Sequence, residues 1–266
     1  MIDQGKKNLI GVLIDAVDYD GALQRIAVAA KERRPCAVSA LAVHGVMTGY
    51  RTNAHRARLN QFDLVVPDGQ PVRWALNLLY KTRLPDRVYG PNLMLNVCEY
   101  AAREGVGIYL YGSTPAVIEQ LQHALHARFP MLEICGAESS QFRRLSADEK
   151  AALVARIRAS GAGITFVGLG CPRQEVWTYE YRSALSMPII AVGAAFDFHG
   201  GMLRQAPGWM QDRGLEWVFR LKSEPRRLWR RYLLNPWYAM LILAQFLHLR
   251  RFTPIRYAVA RDVSYG

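Results

Sequence analysis

The chain has 266 residues, 51% of them hydrophobic, and carries 34 Lys+Arg against 22 Asp+Glu. That length and apolar content exclude a disordered or fibrous chain and suffice for one sizeable core, or one core with a small appendage. The net charge of +12 is uneven: from Gly201 to Gly266 twelve Arg/Lys stand against four Asp/Glu, so +8 of it lies in the last quarter. A basic quarter attracts nucleic acid, anionic lipid headgroups or a diphosphate alike, so charge by itself does not choose a partner.

In chain order, NLIGVLID (8–15) reads as a strand, YDGALQRIAVAAKER (19–33) as a helix, CAVSALAV (36–43) and FDLVVPD (62–68) as strands, and PVRWALNLLYKTRL (71–84) as an amphipathic helix. From residue 107 short apolar runs alternate with helical patterns: GIYLYGS, TPAVIEQLQHALHARF, LEICGAE, SADEKAALVARIRAS, GITFVGLG, PRQEVWTYEYRSAL and PIIAVGAA. Continuous apolar strands each followed by a helix indicate a parallel sheet covered on both faces. Thr114-Pro115 and Ser146-Ala-Asp-Glu149 mark two helix starts. Residues 1–201 therefore read as one doubly wound, Rossmann-like α/β domain, and 202–266 as a helical, Arg/Trp-rich appendage.

Tyr232–Leu249 is the longest apolar stretch, interrupted by Asn235, Pro236, Gln245 and His248 and bracketed by Arg230, Arg231, Arg250 and Arg251. It falls short of the roughly 20 apolar residues of a spanning helix. Basic flanks with Trp and Tyr suit a helix lying among lipid headgroups; a buried core or dimer-interface helix is the alternative. Cys36, Cys98, Cys135 and Cys171 form no CxxC pair and suit free thiols in a reducing cytosol, and MIDQGKKNLI shows no secretory signal core.

Ligands of an open parallel sheet bind at the carboxyl ends of its strands. There the sequence places Asp68-Gly69-Gln70, Gly112-Ser113-Thr114, the Gly168–Gly170 turn leading through Pro172 to Gln174 and Glu175, and Asp197 between Phe196 and Phe198. The glycine turns are candidate phosphate cradles, with turn geometry alone as the competing reason for them. Asp68, on a turn after a buried strand and beside a glycine, is placed to deprotonate a hydroxyl, or else to bond its own backbone. Arg87 could meet a phosphate or pair with Asp86. On one helix, Arg220, Arg227 and Arg231 would share a face with Arg226 and Arg230 beside it, a cluster of planar donors suited to a diphosphate. Interleaved Trp leaves an RNA-binding tail, or a merely solvated helix, as rival readings. The missing GxGxxG and GxxxxGK[ST] count against dinucleotide and P-loop chemistry. Asp18-Tyr19-Asp20 reads as a helix cap, and no HExxH or HxH supports a metal site.

With those residues in view the chain resembles the WecG/TagA/CpsF family, glycosyltransferase family 26, through PDGQPVRWA (67–75), DRVYGPNL (86–93), LYGST (110–114), FVGLGCPRQE (166–175), AVGAAFDFHGG (191–201), QAPGWMQDRGLEW (205–217) and RLKSEPRRLWRRY (220–232). The resemblance implies an inverting hexosyltransferase of the GT-E type, needing no metal or cofactor. It would move a sugar from a UDP-sugar to a polyprenyl-diphosphate-linked sugar in exopolysaccharide or cell-surface glycan synthesis, peripherally on the cytoplasmic face of the inner membrane. Carried over, Asp68 is the base, Gln174 and Arg87 are active-site contacts, and the arginines from Arg220 to Arg231 neutralise the departing UDP. Likeness to xanthan-type enzymes favours glucose over N-acetylmannosamine or its uronic acid. One departure stands out: where the family has Thr-x-Asn after its second strand this chain has Ser39-Ala-Leu41, leaving Ser39 or His44 to supply the polar contact. No nucleic-acid partner is expected under this reading, and a homo-oligomer is left open.

Overall fold

The computed structural model describes residues 1–257 and 263–266; the side chain of Arg227 lies outside the described residues. The chain opens with an antiparallel hairpin, β1 (Asp3–Leu9) and β2 (Val12–Val17). The single strand read over 8–15 is thus two, because Ile10 and Gly11 both adopt positive φ and reverse the chain. Then follow α1 (Tyr19–Lys31), β3 (Cys36–Leu41), α2 (Val43–Arg51), α3 (Asn53–Leu59), β4 (Leu64–Pro67), α4 (Gln70–Tyr80) and α5 (Gly90–Glu104). The second half runs β5 (Ile108–Gly112), α6 (Pro115–Arg128), β6 (Ile134–Glu138), α7 (Ala147–Ala159), β7 (Ile164–Gly168), α8 (Arg173–Tyr181), β8 (Pro188–Ala191) and α9 (Ala195–His199). Four helices close the order: α10 (Gly208–Asp212), α11 (Glu216–Ser223), α12 (Pro225–Tyr232) and α13 (Leu234–Phe246).

Strands β3 to β8 form one six-stranded parallel sheet in the order β4-β3-β8-β7-β5-β6. Alternation along β3 shows how the sheet is covered on both sides. Val38 and Ala40 pack into the layer holding Ile26 of α1, Val97 of α5 and Leu121 of α6. Ala37 and Leu41 face the hairpin, α2 and α4 instead. Beneath β5 and β7 the second face is closed by α7 and α8 through Leu153, Ile157, Trp177 and Tyr181, with Trp177 stacked on both Tyr111 and Tyr181. This is the doubly wound, Rossmann-like arrangement expected.

The helix starts read from sequence also form: Thr114 accepts from the Val117 N–H, and Ser146 and Glu149 make a reciprocal capping box. Asp18 caps α1 by accepting from the Gly21 N–H, and its other carboxylate oxygen accepts from the Ile2 N–H ahead of the hairpin. The basic run of 213–232 is not one helix. Pro225 forces Glu224 to φ −136°, ψ 59° and separates α11 from α12. Beyond it, α13 buries Tyr238, Leu241 and Ile242 against the hairpin layer, while Gln245 accepts from the Ile10 N–H and donates to the Asn8 carbonyl. Its opposite side exposes Leu233, Trp237, Met240, Leu243 and Leu247. Among the described residues no helix is long and apolar enough to cross a membrane.

Candidate active site

The loops after β3, β4, β5, β7 and β8 open on a cavity of about 420 Å3, closed from outside by α11, α12 and the first turn of α13. Each loop delivers side chains or backbone in a way its local sequence dictates.

After β4, the Asp68 N–H donates to the carbonyls of Leu41 and Val66. Gly69 at φ 109° then turns the chain into α4. The Asp68 carboxylate faces the cavity. Burial pushes it up to about 6, helped by the Glu216 carboxylate and opposed by Arg87, the Gly90 N–H and Arg220. Gln70 is buried and donates to Asp86 at 2.8 Å.

Arg87 does not use Asp86 as its ion-pair partner. Its guanidinium lies 4.1 Å from the centre of the Tyr89 ring and donates to Glu216 Oε2 at 2.8 Å, while the Tyr89 hydroxyl donates to Glu216 Oε1 at 3.0 Å. Arg87 and Glu216 are both largely buried. Burial alone would lower the Arg87 guanidinium, but the Glu216 and Asp68 carboxylates outweigh that and raise it. Glu216 and Tyr89 were not singled out from sequence, although GLEW (214–217) and DRVYGPNL (86–93) contain them. Their signal was a carboxylate beside a Trp and a Tyr two residues after Arg87, which acquires meaning only when α11 folds over the sheet.

After β5, Gly112 at φ 123° lies so close to β7 that a Cβ would stand 2.8 Å from the Gly168 backbone. Ser113 and Thr114 line the cavity; Gly112 shapes the turn and is not itself on the wall. After β7, Gly168 and Gly170 line it, and Gln174 Oε1 accepts from the Gly170 N–H at 3.1 Å while its Nε2 donates to Glu175 at 2.9 Å. Pro172 stands outside the wall as the residue preceding α8. Burial raises the Glu175 carboxyl.

Ser39 is brought behind the cavity rather than into it. It is fully buried on the strand face that meets α8, and its hydroxyl donates to Glu175 at 3.3 Å. His44 is the polar group that the β3 loop presents at the wall. Burial lowers its imidazole to about 4, with the Arg231 charge adding to the effect, so the ring is neutral at pH 7. His55, which does not line the cavity, and the lining residues Cys171 and Glu175 each bring one potential metal-ligand atom within 4.8 Å of the others.

Asp197, in the first turn of α9, lines the cavity on its far side. Of the appendage arginines, Arg220 and Arg231 reach it. Arg226 and Arg230 point to solvent, because the break at Pro225 rotates α12 relative to α11, and Arg227 falls outside the described side chains. Among the described residues neither Arg220 nor Arg231 has a carboxylate ion-pair partner. Burial pulls the Arg231 guanidinium below its ordinary value, with Arg220 adding to that effect. Two guanidiniums without a carboxylate ion-pair partner among the described residues thus share the cavity with a carboxylate whose proton affinity is raised, an arrangement suited to an anionic leaving group and to proton uptake.

An open parallel sheet whose strand ends gather a carboxylate and an amide, covered by helices bringing two arginines that lack a carboxylate partner among the described residues, is an arrangement suited to group transfer on an anionic substrate. The WecG/TagA/CpsF glycosyltransferase family model matches residues 7–252, so the chain belongs to that family and is a glycosyltransferase. It is also 28% identical over 197 residues, 74% of each chain, to the N-acetylglucosaminyldiphosphoundecaprenol N-acetyl-beta-D-mannosaminyltransferase of Bacillus subtilis (strain 168).

Proposed function

We infer that the enzyme transfers a hexosyl group, with inversion and without metal, from a UDP-sugar to a polyprenyl-diphosphate-linked sugar at the inner face of the cytoplasmic membrane. The observation that carries this reading is that Asp68, Arg220 and Arg231 line one cavity and act electrostatically on one another there. In the reaction, the acceptor hydroxyl oxygen attacks the anomeric carbon as the bond to the UDP oxygen breaks. The hydroxyl proton passes to Asp68, and the electron pair leaves with UDP, whose diphosphate is met by Arg220 and Arg231. Arg87 and Gln174 are the remaining contacts in this scheme. Ser113, Thr114 and the glycine turn at 168–170 form the wall that would meet the nucleotide, with Gly112 shaping the turn behind it.

The lipid-linked acceptor is supported by the name of the Bacillus relative. The exposed apolar side of α13 supports a membrane surface. Glucose is the donor sugar favoured by the xanthan-type likeness, whereas the relative is named for N-acetylmannosaminyl transfer. Calorimetric titration with UDP, UDP-glucose, UDP-N-acetylmannosamine and UDP-N-acetylmannosaminuronic acid separates these. Binding of UDP and of one UDP-sugar is expected, weakened at least ten-fold in Arg231→Ala. Failure of every UDP ligand to bind, with RNA retained instead, would replace this reading by that of an RNA-binding tail.

A further inference from the structure

A second, open cavity of about 650 Å3 lies outside the catalytic one, lined by Tyr50, Arg51, Arg56, Trp237 and the segment Arg250–Thr253, with Asn53 and Ile255 at its margins. The helix α2 joins the two cavities: Val43 and His44 at its start face the catalytic site, and Tyr50 and Arg51 at its end face this one, roughly 10 Å apart at 1.5 Å per residue. Among the described residues, four guanidiniums and no carboxylate line it. Among the described residues none of the four has an ion-pair partner; Arg56 bonds the Asn53 side chain, and Arg250 lies against the rings of Tyr50 and Phe252. Those two rings and Trp237 pack edge to face as an aromatic floor.

The site is held in place rather than draped on the surface. Asn8 donates to the Phe252 carbonyl at 2.6 Å and Asn60 to the Ile255 carbonyl at 2.9 Å, tying the 252–255 segment to the hairpin and to α3. Trp237 belongs both to this floor and to the exposed apolar side of α13. A cationic rim over aromatic rings, continuous with a solvent-facing apolar helix side, has the chemistry of the boundary between headgroups and acyl chains.

We propose that this cavity is a binding site for the phosphate of an anionic phospholipid headgroup, seating the enzyme on the bilayer through Arg51, Arg250 and Arg251 while α13 lays its apolar side among the acyl chains. The proposal rests on the membrane-surface part of the function above and not on the transfer chemistry. The three arginines are exposed, so replacing them leaves the core intact. About 1 kcal/mol of attraction per basic residue near an anionic surface corresponds to roughly five-fold each in partitioning.

Flotation of the full chain with vesicles of phosphatidylcholine alone, or with 30% phosphatidylglycerol, reads the site directly. Strong binding is expected only to the anionic vesicles, with at least a ten-fold loss in Arg51→Ala/Arg250→Ala/Arg251→Ala and in the single charge reversal Arg251→Glu. Sugar transfer to a water-soluble, short-chain lipid-diphosphate acceptor should be unchanged in both variants. Equal binding of wild type and variants to the anionic vesicles would overturn the proposal. So would a cavity that answers only to inorganic phosphate or RNA, in which either ligand shifts the melting of wild type but not of the variants while anionic vesicles recruit neither. A transfer-dead wild type that still discriminates the vesicles would leave the headgroup site standing and remove the transfer reading.

Discussion

Asp68 and Glu216 lie far apart in the chain yet share Arg87, and in the proposed mechanism that sharing would set the proton chemistry. A carboxyl held near 6 in the folded state and near 4 when unfolded disfavours folding once it ionises. The penalty is absent below about pH 4, grows through the window between the two values and is complete above about pH 6. Asp68→Asn is therefore expected to raise stability by roughly 2 kcal/mol at pH 8, after discounting for partial exposure, and by nothing at pH 4. Calorimetric melting at the two pH values checks this, and a variant less stable than wild type at pH 8 would refute the burial argument. Activity should fall at acid pH with a midpoint near 6, since the base must be ionised. Glu216→Gln removes a neighbouring negative charge, so that acid limb should move to lower pH, and stability should drop by about 3 kcal/mol because Arg87 is left buried and unpaired. A pH–rate profile that does not move would separate Glu216 from Asp68. The place of Asp68 on the cavity wall was legible in the sequence, because a turn after an apolar strand of a parallel sheet lies at the ligand-binding edge. Glu216 was not, because its partners lie across the fold.

Among the elements, the strands of the parallel sheet were readable as apolar runs, and α1, α6 and α7 from their caps and periodicity, whereas the polar β1 (DQGKKNL) gave no such run and its hairpin with β2 was read as one strand. Two that the sequence left unread explain themselves physically. The helix α2 lacks a capping side chain at Ala42 and holds Gly45 and Gly49, residues that favour breaks in isolation. In the fold a Cβ on Gly45 would come within 2.3 Å of Leu41, and one on Gly49 within 2.9 Å of Val12, so both glycines serve close packing. The helix α5 starts at Gly90-Pro91 without a side-chain cap. The arginine run misled in the opposite sense, since periodicity put Arg226 and Arg230 beside Arg220, and Pro225 turns them away. In α13 the interrupted apolar pattern belongs to a helix with one side in the core and one exposed. Leu241→Ala should accordingly cost about 3 kcal/mol in denaturant unfolding; a cost below about 1 kcal/mol would mean that α13 is only loosely docked.

On the scale of the whole molecule, the loops of the sheet bring Asp68, Gln174 and the glycine turn at 168–170 to the cavity, and the C-terminal helices bring Arg220 and Arg231. Neither part holds a complete site, which is why the +8 terminal quarter could not by itself distinguish diphosphate from lipid: two of its arginines face the catalytic cavity and two face the second one. The most direct test of the account is transfer of radiolabelled sugar from the bound UDP-sugar to a short-chain polyprenyl-diphosphate sugar, at pH 7.5 in excess EDTA, by wild type and Asp68→Asn. Wild-type transfer with inverted configuration, undiminished by EDTA and slowed at least 100-fold in a variant that still binds UDP, is the expected result. A near wild-type rate in the variant would remove Asp68 as the base, and abolition of wild-type activity by EDTA would contradict the metal-free mechanism and point to His55, Cys171 and Glu175.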